Sequence, residues 1–347
     1  MRFLWLALIA MSLPSLFAER IYFGCADGIY LANWENGILE TPKLAAAAEN
    51  PSFLTISPDG KFLYSVAEKT DGRVVSWSIA EDGSLTKLNE QSSGGAAPCH
   101  LTLFKNILLV ANYSSGTVSS FLTNPDGTIK THASFIQLTG SGPNPKRQKE
   151  PHAHGVYCDG NLAYVTDLGT DKLWIYELKS DATLSAITPA ILPPGSGPRH
   201  LAIGKSRIYI NGEMGLGVSA LELESKKLLT TTPVFPSGMK LPSNADTAEI
   251  FVHSPFLYVS TRGYSSISTF KISSEGDLTF LENHPLRING PRHFTISPDG
   301  KWMIVPGQNA SRVEVLAIDP ATGKLTTHGE LISLEKPMCA VFAPSSI

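Results

Sequence analysis

Histidine, arginine and glutamate gather at two recurring places in this 347-residue chain. The first is the start of certain short apolar runs, at His100, His152 and His154, Arg199 and His200, and Arg292 and His293. The second is the end of the run that follows, at Glu68, Asn112, Asp167, Glu213, Arg262 and Gln308. Histidine and glutamate move protons near neutral pH once their surroundings tune them. Arginine grips carboxylate or phosphate with two N–H groups and can stabilise an oxyanion. An activated nucleophile is missing from the set. There is no Gly-x-Ser-x-Gly elbow, and Cys25, Cys99, Cys158 and Cys339 all read as lying outside the polar residues. The expected chemistry is therefore attack by water, or a proton-driven opening or closing of a ring.

Those residues are useful only if the fold brings them together. The heptapeptide Thr-Ile-Ser-Pro-Asp-Gly-Lys at 55–61 recurs at 295–301, each copy joining two apolar runs across a Pro-Asp-Gly turn. A looser unit fills the interval: a proline, an apolar strand, a turn, a second strand ending in a polar residue, then an alternating third strand. Counted from Pro51, Pro98, Pro151, Pro198, Ala248, Pro291 and Pro337, the units recur every 43 to 53 residues. Repeats of this length, built of three or four strands, describe propeller blades. Helical periodicity is confined to the Ala-rich stretch 44–50. Six units plus a C-terminal fragment leave one blade incomplete, and residues 20–39 supply the missing strands. The expected fold is all-β, a seven-bladed β-propeller whose ring is closed by N- and C-terminal strands sharing a blade, with residues 19–347 as one domain. Joining the termini removes the sheet edge that a linear array would expose. In each blade the start of the innermost strand lies beside the end of the second, so both polar sets should meet at one mouth of the central channel.

His154, Arg199, Glu213 and Arg262 are of complementary types on adjacent blades, which favours a catalytic role. His152, His200, Arg292, His293, Asn112 and Asp167 form the candidate substrate-binding set. Several of these have a simpler use. His100, His200, His293 and Arg292 could cap the channel, and Asp167 and Asp171 could brace a turn; for these six the structural role carries more weight.

Composition narrows the function classes further. Hydrophobic residues make up 42% and charged residues 17%, with 29 glycines for tight turns, which is globular rather than disordered. A formal charge of −3 gives no reason to expect nucleic acid as a partner. Arg2, the apolar run at 3–13 and a small residue at Ala18 read as a signal peptide over 1–18, implying export, periplasmic or secreted. The run is too short for a comfortable transmembrane helix, so the mature chain is expected to have no membrane span, an uncleaved anchor being the alternative. The four cysteines show no Cys-x-x-Cys spacing, which argues against zinc. Export permits disulfides, and Cys25 and Cys339 fall in one blade, but buried free thiols are the simpler expectation. Carboxylates beside so many arginines make a poor cation site, so neither metal nor cofactor is expected.

In order along the chain come Arg147-Gln148, Pro151-His152-Ala153-His154, Asp167-Leu168-Gly169-Thr170-Asp171, Gly197-Pro198-Arg199-His200, Asn211-Gly212-Glu213, Ala248-Glu249-Ile250, Thr261-Arg262-Gly263-Tyr264 and Gly290-Pro291-Arg292-His293. With this series the chain resembles the bacterial 6-phosphogluconolactonase family of seven-bladed propellers, which also contains the fungal carboxymuconate cyclases. The resemblance covers roughly residues 50 to 345. It implies that His154, Arg199, Glu213 and Arg262 form the active site, with His152 as the alternative histidine. It also implies metal-free hydrolysis of a sugar lactone, a small-molecule partner; a monomer or weak dimer is the expected state. Glu213 or His154 would activate water. The opening Gly24-Cys25-Ala26-Asp27 and the late Pro306-Gly307-Gln308-Asn309 depart from the family pattern and bear on which lactone is used. An exported protein is poorly placed to meet a phosphorylated intermediate. Two other functions fit the same residues: a muconolactone-type cycloisomerase, or a non-catalytic platform binding a glycan or protein.

Overall fold

A computed structural model describes residues 19–344 and places them in seven antiparallel sheets arranged as blades. The expected signal peptide lies outside the described residues. Blade 1 runs outward through Leu54–Ile56, Phe62–Ala67, Arg73–Ile79 and Leu85–Ser92. Blades 2 to 6 repeat this order. Their innermost strands are Pro98–Phe104, Ala153–Asp159, Pro198–Ile203, Asp246–His253 and Thr295–Ile296. In blade 7 the innermost strand is the C-terminal Pro337–Phe342, paired to the N-terminal Glu19–Cys25 with Ile21 opposite Phe342. The ring is closed by both ends of the chain.

The Ala-rich stretch forms no helix; Lys43–Ala47 is an outer strand of blade 7, with Ala47 opposite Gly28. Tertiary pairing overrides alanine's helical preference here.

Alternation along each strand puts one apolar face against the next blade. Seven apolar clusters result, one at each blade-to-blade interface; Ile107, Leu109 and Val118 of blade 2, for example, meet Val156, Ala163 and Val165 of blade 3. Each fully buried Leu, Ile or Val in such a seam stabilises the ring by about 1.5–3 kcal/mol. A second device repeats around the ring. Tyr22, Tyr64, Tyr209 and Tyr258, all on second strands, donate their hydroxyls to the carbonyls of Gly83, Gly127, Gly276 and Gly323 in a turn of the following blade, at 2.7–3.1 Å. All four glycines have positive φ, which lets the turn press its carbonyl against the neighbouring blade. Where the turn carries Lys226 instead, at φ 60, the Tyr164 hydroxyl is buried without a partner.

Candidate active site

The four candidate catalytic residues converge at one mouth of the channel. Glu213 is 2% exposed and lies just past the second strand of blade 4, Arg207–Gly212. Three guanidinium groups surround it. Arg147 donates Nη2 to Oε1 at 2.6 Å, Arg199 brings Nε to 3.1 Å from Oε2, and Arg262 brings Nη2 to 3.0 Å from the same oxygen. Arg262 is itself braced by Asp246, which accepts its Nε at 2.7 Å. Burial pushes the Glu213 carboxyl up, but Arg262, Arg199 and Arg147 together outweigh it and hold it below the usual carboxylate range. Glu213 is an anion and, so clamped, a weak base.

His154 faces Glu213 with Nε2 at 3.9 Å from Oε2, too far for a direct hydrogen bond. Burial, followed by the positive charge of Arg199, lowers its pKa well below the usual imidazole value, so it is neutral at physiological pH. On its other side Nδ1 lies 3.8 Å from Cys99 Sγ, whose thiol also reaches the His154 carbonyl at 3.3 Å. The expectation that no cysteine belongs to the polar set is therefore wrong, because the innermost strands of blades 2 and 3 run side by side. The thiol is no nucleophile: burial, with Glu68 adding to it, pushes its pKa up to about 12.

Arg199 is 1% exposed, and its Nε–H finds no hydrogen-bond acceptor in line despite the nearby carboxylate. Burial and the charge of Arg262 lower its pKa to about 10, which leaves it charged at neutral pH. A buried, charged and unspent N–H donor thus stands beside a neutral imidazole and a fixed anion.

The substrate-binding candidates separate into three groups. His152 lies at the mouth, stacked on Tyr113 with centroids 4.5 Å apart, its Nδ1 donating to the Tyr113 carbonyl at 3.0 Å. Arg292 is paired with Glu68 at 2.8 Å, and His200 and His293 lie below the mouth against Glu249. Asn112 and Asp167 are corrections. Both are fully buried and bonded to their own turns. Asn112 donates to the Ser93 carbonyl and to Thr117 Oγ1, while Asp167 accepts from His152 N, Gly169 N, Thr170 Oγ1 and Trp174 Nε1. Asp171 does likewise, accepting from Gly195 N, Ser196 Oγ and Gly197 N.

Strand register explains the error. Asn112 pairs with Thr117, Asp167 with Lys172, and Gly212 with Gly217, so Asn112 and Asp167 correspond to Gly212 rather than to Glu213. With a side-chain period of two, one residue of slip turns a side chain to the other face. The true counterpart of Glu213 in blade 2 is Tyr113, which accepts Arg147 Nη2 at 3.1 Å. Tyr113, Arg147, Asp246, Glu249 and Cys99 were all absent from the candidates. Arg147 rides on a loop pinned by buried Gln148, which donates to the Leu168 carbonyl at 2.8 Å. The Arg-Gln pair was the visible signal for it.

A sequence profile described as "Lactonase, 7-bladed beta-propeller" matches residues 20–342. The chain belongs to the seven-bladed β-propeller lactonase family. A 6-phosphogluconolactonase of Bacillus subtilis is 32% identical over 335 residues, covering 92% of this chain and 95% of that protein. A 6-phosphogluconolactonase of Formosa agariphila is 32% identical over 300 residues, covering 80% and 83%. Among solved structures, a periplasmic gluconolactonase of Pseudomonas aeruginosa superposes with TM-score 0.87 at 26% identity, over 94% of this chain and 99% of that one. Among the described residues, no helix is long and apolar enough to cross a membrane, and no group of three or more His, Cys, Asp or Glu is placed to hold a metal ion.

Proposed function

We propose that this member of the lactonase family hydrolyses a sugar lactone of the gluconolactone type at the Glu213 mouth, without a metal. The observation that carries the reading is the unspent Arg199 Nε–H, 3.1 Å from clamped Glu213 and beside neutral His154. If the Cys99 thiol hydrogen goes to the His154 carbonyl, Sγ accepts Nδ1–H and His154 Nε2 is left as a bare lone pair. That nitrogen takes a proton from water as the oxygen adds to the lactone carbonyl. The imidazolium formed is stabilised by Glu213, 3.9 Å away, much as a buried carboxylate supports a histidine base. The carbonyl oxygen becomes an oxyanion, stabilised by the Arg199 and Arg262 guanidinium groups that flank Glu213 Oε2. Collapse breaks the ring C–O bond, His154 returns the proton to the departing alkoxide, and the new carboxylic acid loses its remaining proton to solvent as it leaves as carboxylate. Arg262 and Arg147 hold Glu213 in place and offer their remaining N–H groups to substrate oxygens. His154 suits the base role better than Glu213 because both Glu213 oxygens face arginine N–H groups, whereas His154 Nε2 has no hydrogen-bond partner.

Export is part of the same proposal. The basic, apolar and small-residue order of residues 1–18 supports it, and so does the likeness to a periplasmic gluconolactonase. A ring closed by the chain's own two ends, with no blade left incomplete, supports a monomer or weak dimer.

The test is hydrolysis by the purified chain of 6-phosphogluconolactone and of gluconolactone, with and without chelator, after subtracting spontaneous opening. Chelator-insensitive turnover that is lost in His154→Gln is the expected result, and the preferred lactone shows whether phosphate is read. A folded protein with no turnover above background on either lactone overturns the reading.

A further inference from the structure

Below the mouth the channel is plugged by Ser52, Phe53, Arg292, His293 and Met338, and the space left between them is too tight for a water molecule. Polar groups in the plug must satisfy one another. Arg199 Nη1 has two hydrogens. One goes to the Ala248 carbonyl at 2.6 Å and the other faces His200 Nε2 at 3.2 Å. Arginine only donates, so His200 Nε2 carries a lone pair and the imidazole proton sits on Nδ1, 3.0 Å from both oxygens of Glu249. The second histidine resolves in the same way. His293 Nδ1 accepts the Ala340 N–H at 3.4 Å, so its Nε2–H points at Glu249 Oε2, 3.3 Å away. The Ile250 N–H, 2.9 Å from Oε1, completes a set of three donors around one carboxylate. All three are donors, so the Glu249 anion is the form they stabilise, against the burial that pushes its carboxyl up.

We propose that Glu249, acting through His200, is a positioning residue for Arg199: it fixes the His200 tautomer, which pins Nη1 and so sets the guanidinium beside Glu213 with its Nε–H free of any acceptor. Burial and the charge of Arg199 keep His200 neutral, as the arrangement requires. The kinetic consequence rests on the hydrolytic reading of the mouth; the tautomer does not. Glu249 and His200 touch no substrate atom, so their effect must pass through Arg199.

Two measurements decide this. In ¹⁵N-histidine spectra from pH 6 to 8, with His200 assigned by His200→Gln, the expected state is a protonated Nδ1 and a bare Nε2. An Nε2–H tautomer or an imidazolium overturns the proposal. This arm uses no substrate, so it stands even if the wild-type protein opens no lactone, a result that would count against the hydrolytic reading alone. In turnover, Glu249→Gln is expected to lower kcat about tenfold with KM within about twofold, and to cost nothing further in an Arg199→Lys background. An equal loss in both backgrounds marks a merely structural role and overturns it. Should Glu249→Gln fail to fold, His200→Gln keeps an acceptor for Arg199 and His200→Leu does not. The expected order of kcat is wild type, then Gln, then Leu, and equal values for Gln and Leu overturn the proposal.

Discussion

Arg199 Nε stands 3.1 Å from Glu213 Oε2, yet its N–H is not aimed at that oxygen and has no other acceptor. A buried charged donor left unspent costs free energy in the resting protein. On the proposed mechanism that cost is recovered when an oxyanion forms beside the guanidinium, as in a preorganised site that lowers a barrier.

Arg199→Lys keeps the charge but removes this donor. Loss of one oxyanion donor lowers kcat by about 100-fold or more, with KM changing far less. Steady-state kinetics on the preferred lactone check it, and an unchanged kcat would mean that the oxyanion is held elsewhere.

Glu213→Gln removes the anion shared by three arginines. Arg199, at 1% exposed, cannot turn to water for compensation. Breaking a buried ion pair by deleting one partner costs about 3–5 kcal/mol. The variant is expected to unfold at markedly lower urea concentration and to lose at least about 100-fold in kcat. Equilibrium unfolding and turnover, measured on the same preparation, read the two effects separately.

Stability should fall on mild acidification. Burial lowers the pKa of His100, His154 and His200 well below that of the unfolded chain, and the positive charge of Arg199 adds to this at all three. Free imidazole takes up its proton near about 6.5. Below that pH the unfolded chain therefore binds protons that the folded ring does not, and the equilibrium shifts toward unfolding as pH drops. The contribution is fully present above about pH 7 and declines through the range between the unfolded and folded pKa values. Each histidine contributes a slope of up to about 1.4 kcal/mol per pH unit. Urea midpoints from pH 7.5 to 5 test this, and a flat profile would place these rings in contact with solvent.

Tyr258→Phe removes one blade-to-blade hydrogen bond, donated to the Gly323 carbonyl at 3.0 Å. The expected loss is about 1 kcal/mol, plus the penalty of a carbonyl left with one partner fewer. Gly323→Ala should cost more, about 1–3 kcal/mol, since φ is 73 and a Cβ would come within 2.5 Å of Phe256 Cδ1. Thermal unfolding of the two variants gives the order. The reverse order would show that the hydroxyl, not the turn conformation, holds the seam.

By itself the sequence determined the ring. The repeated turn at 55–61 and 295–301, the proline-led strands and the unmatched runs at both ends require seven blades and a shared closing blade, because apolar alternation and turn chemistry are local properties. It also determined that histidines and arginines at the starts of inner strands would meet polar residues from the ends of second strands. Only the tertiary structure decided which of those residues face the mouth. Asn112, Asp167 and Glu213 end similar apolar runs, but their register differs by one residue, and a pleated strand turns that single step into opposite faces. Tyr113 and Arg147 enter the site through that same register and through a loop folded across from blade 2. The proton positions on His200 and His293, and the idle donor of Arg199, depend on partners from different blades. These are relationships between residues far apart in the chain, set only when the ring closes.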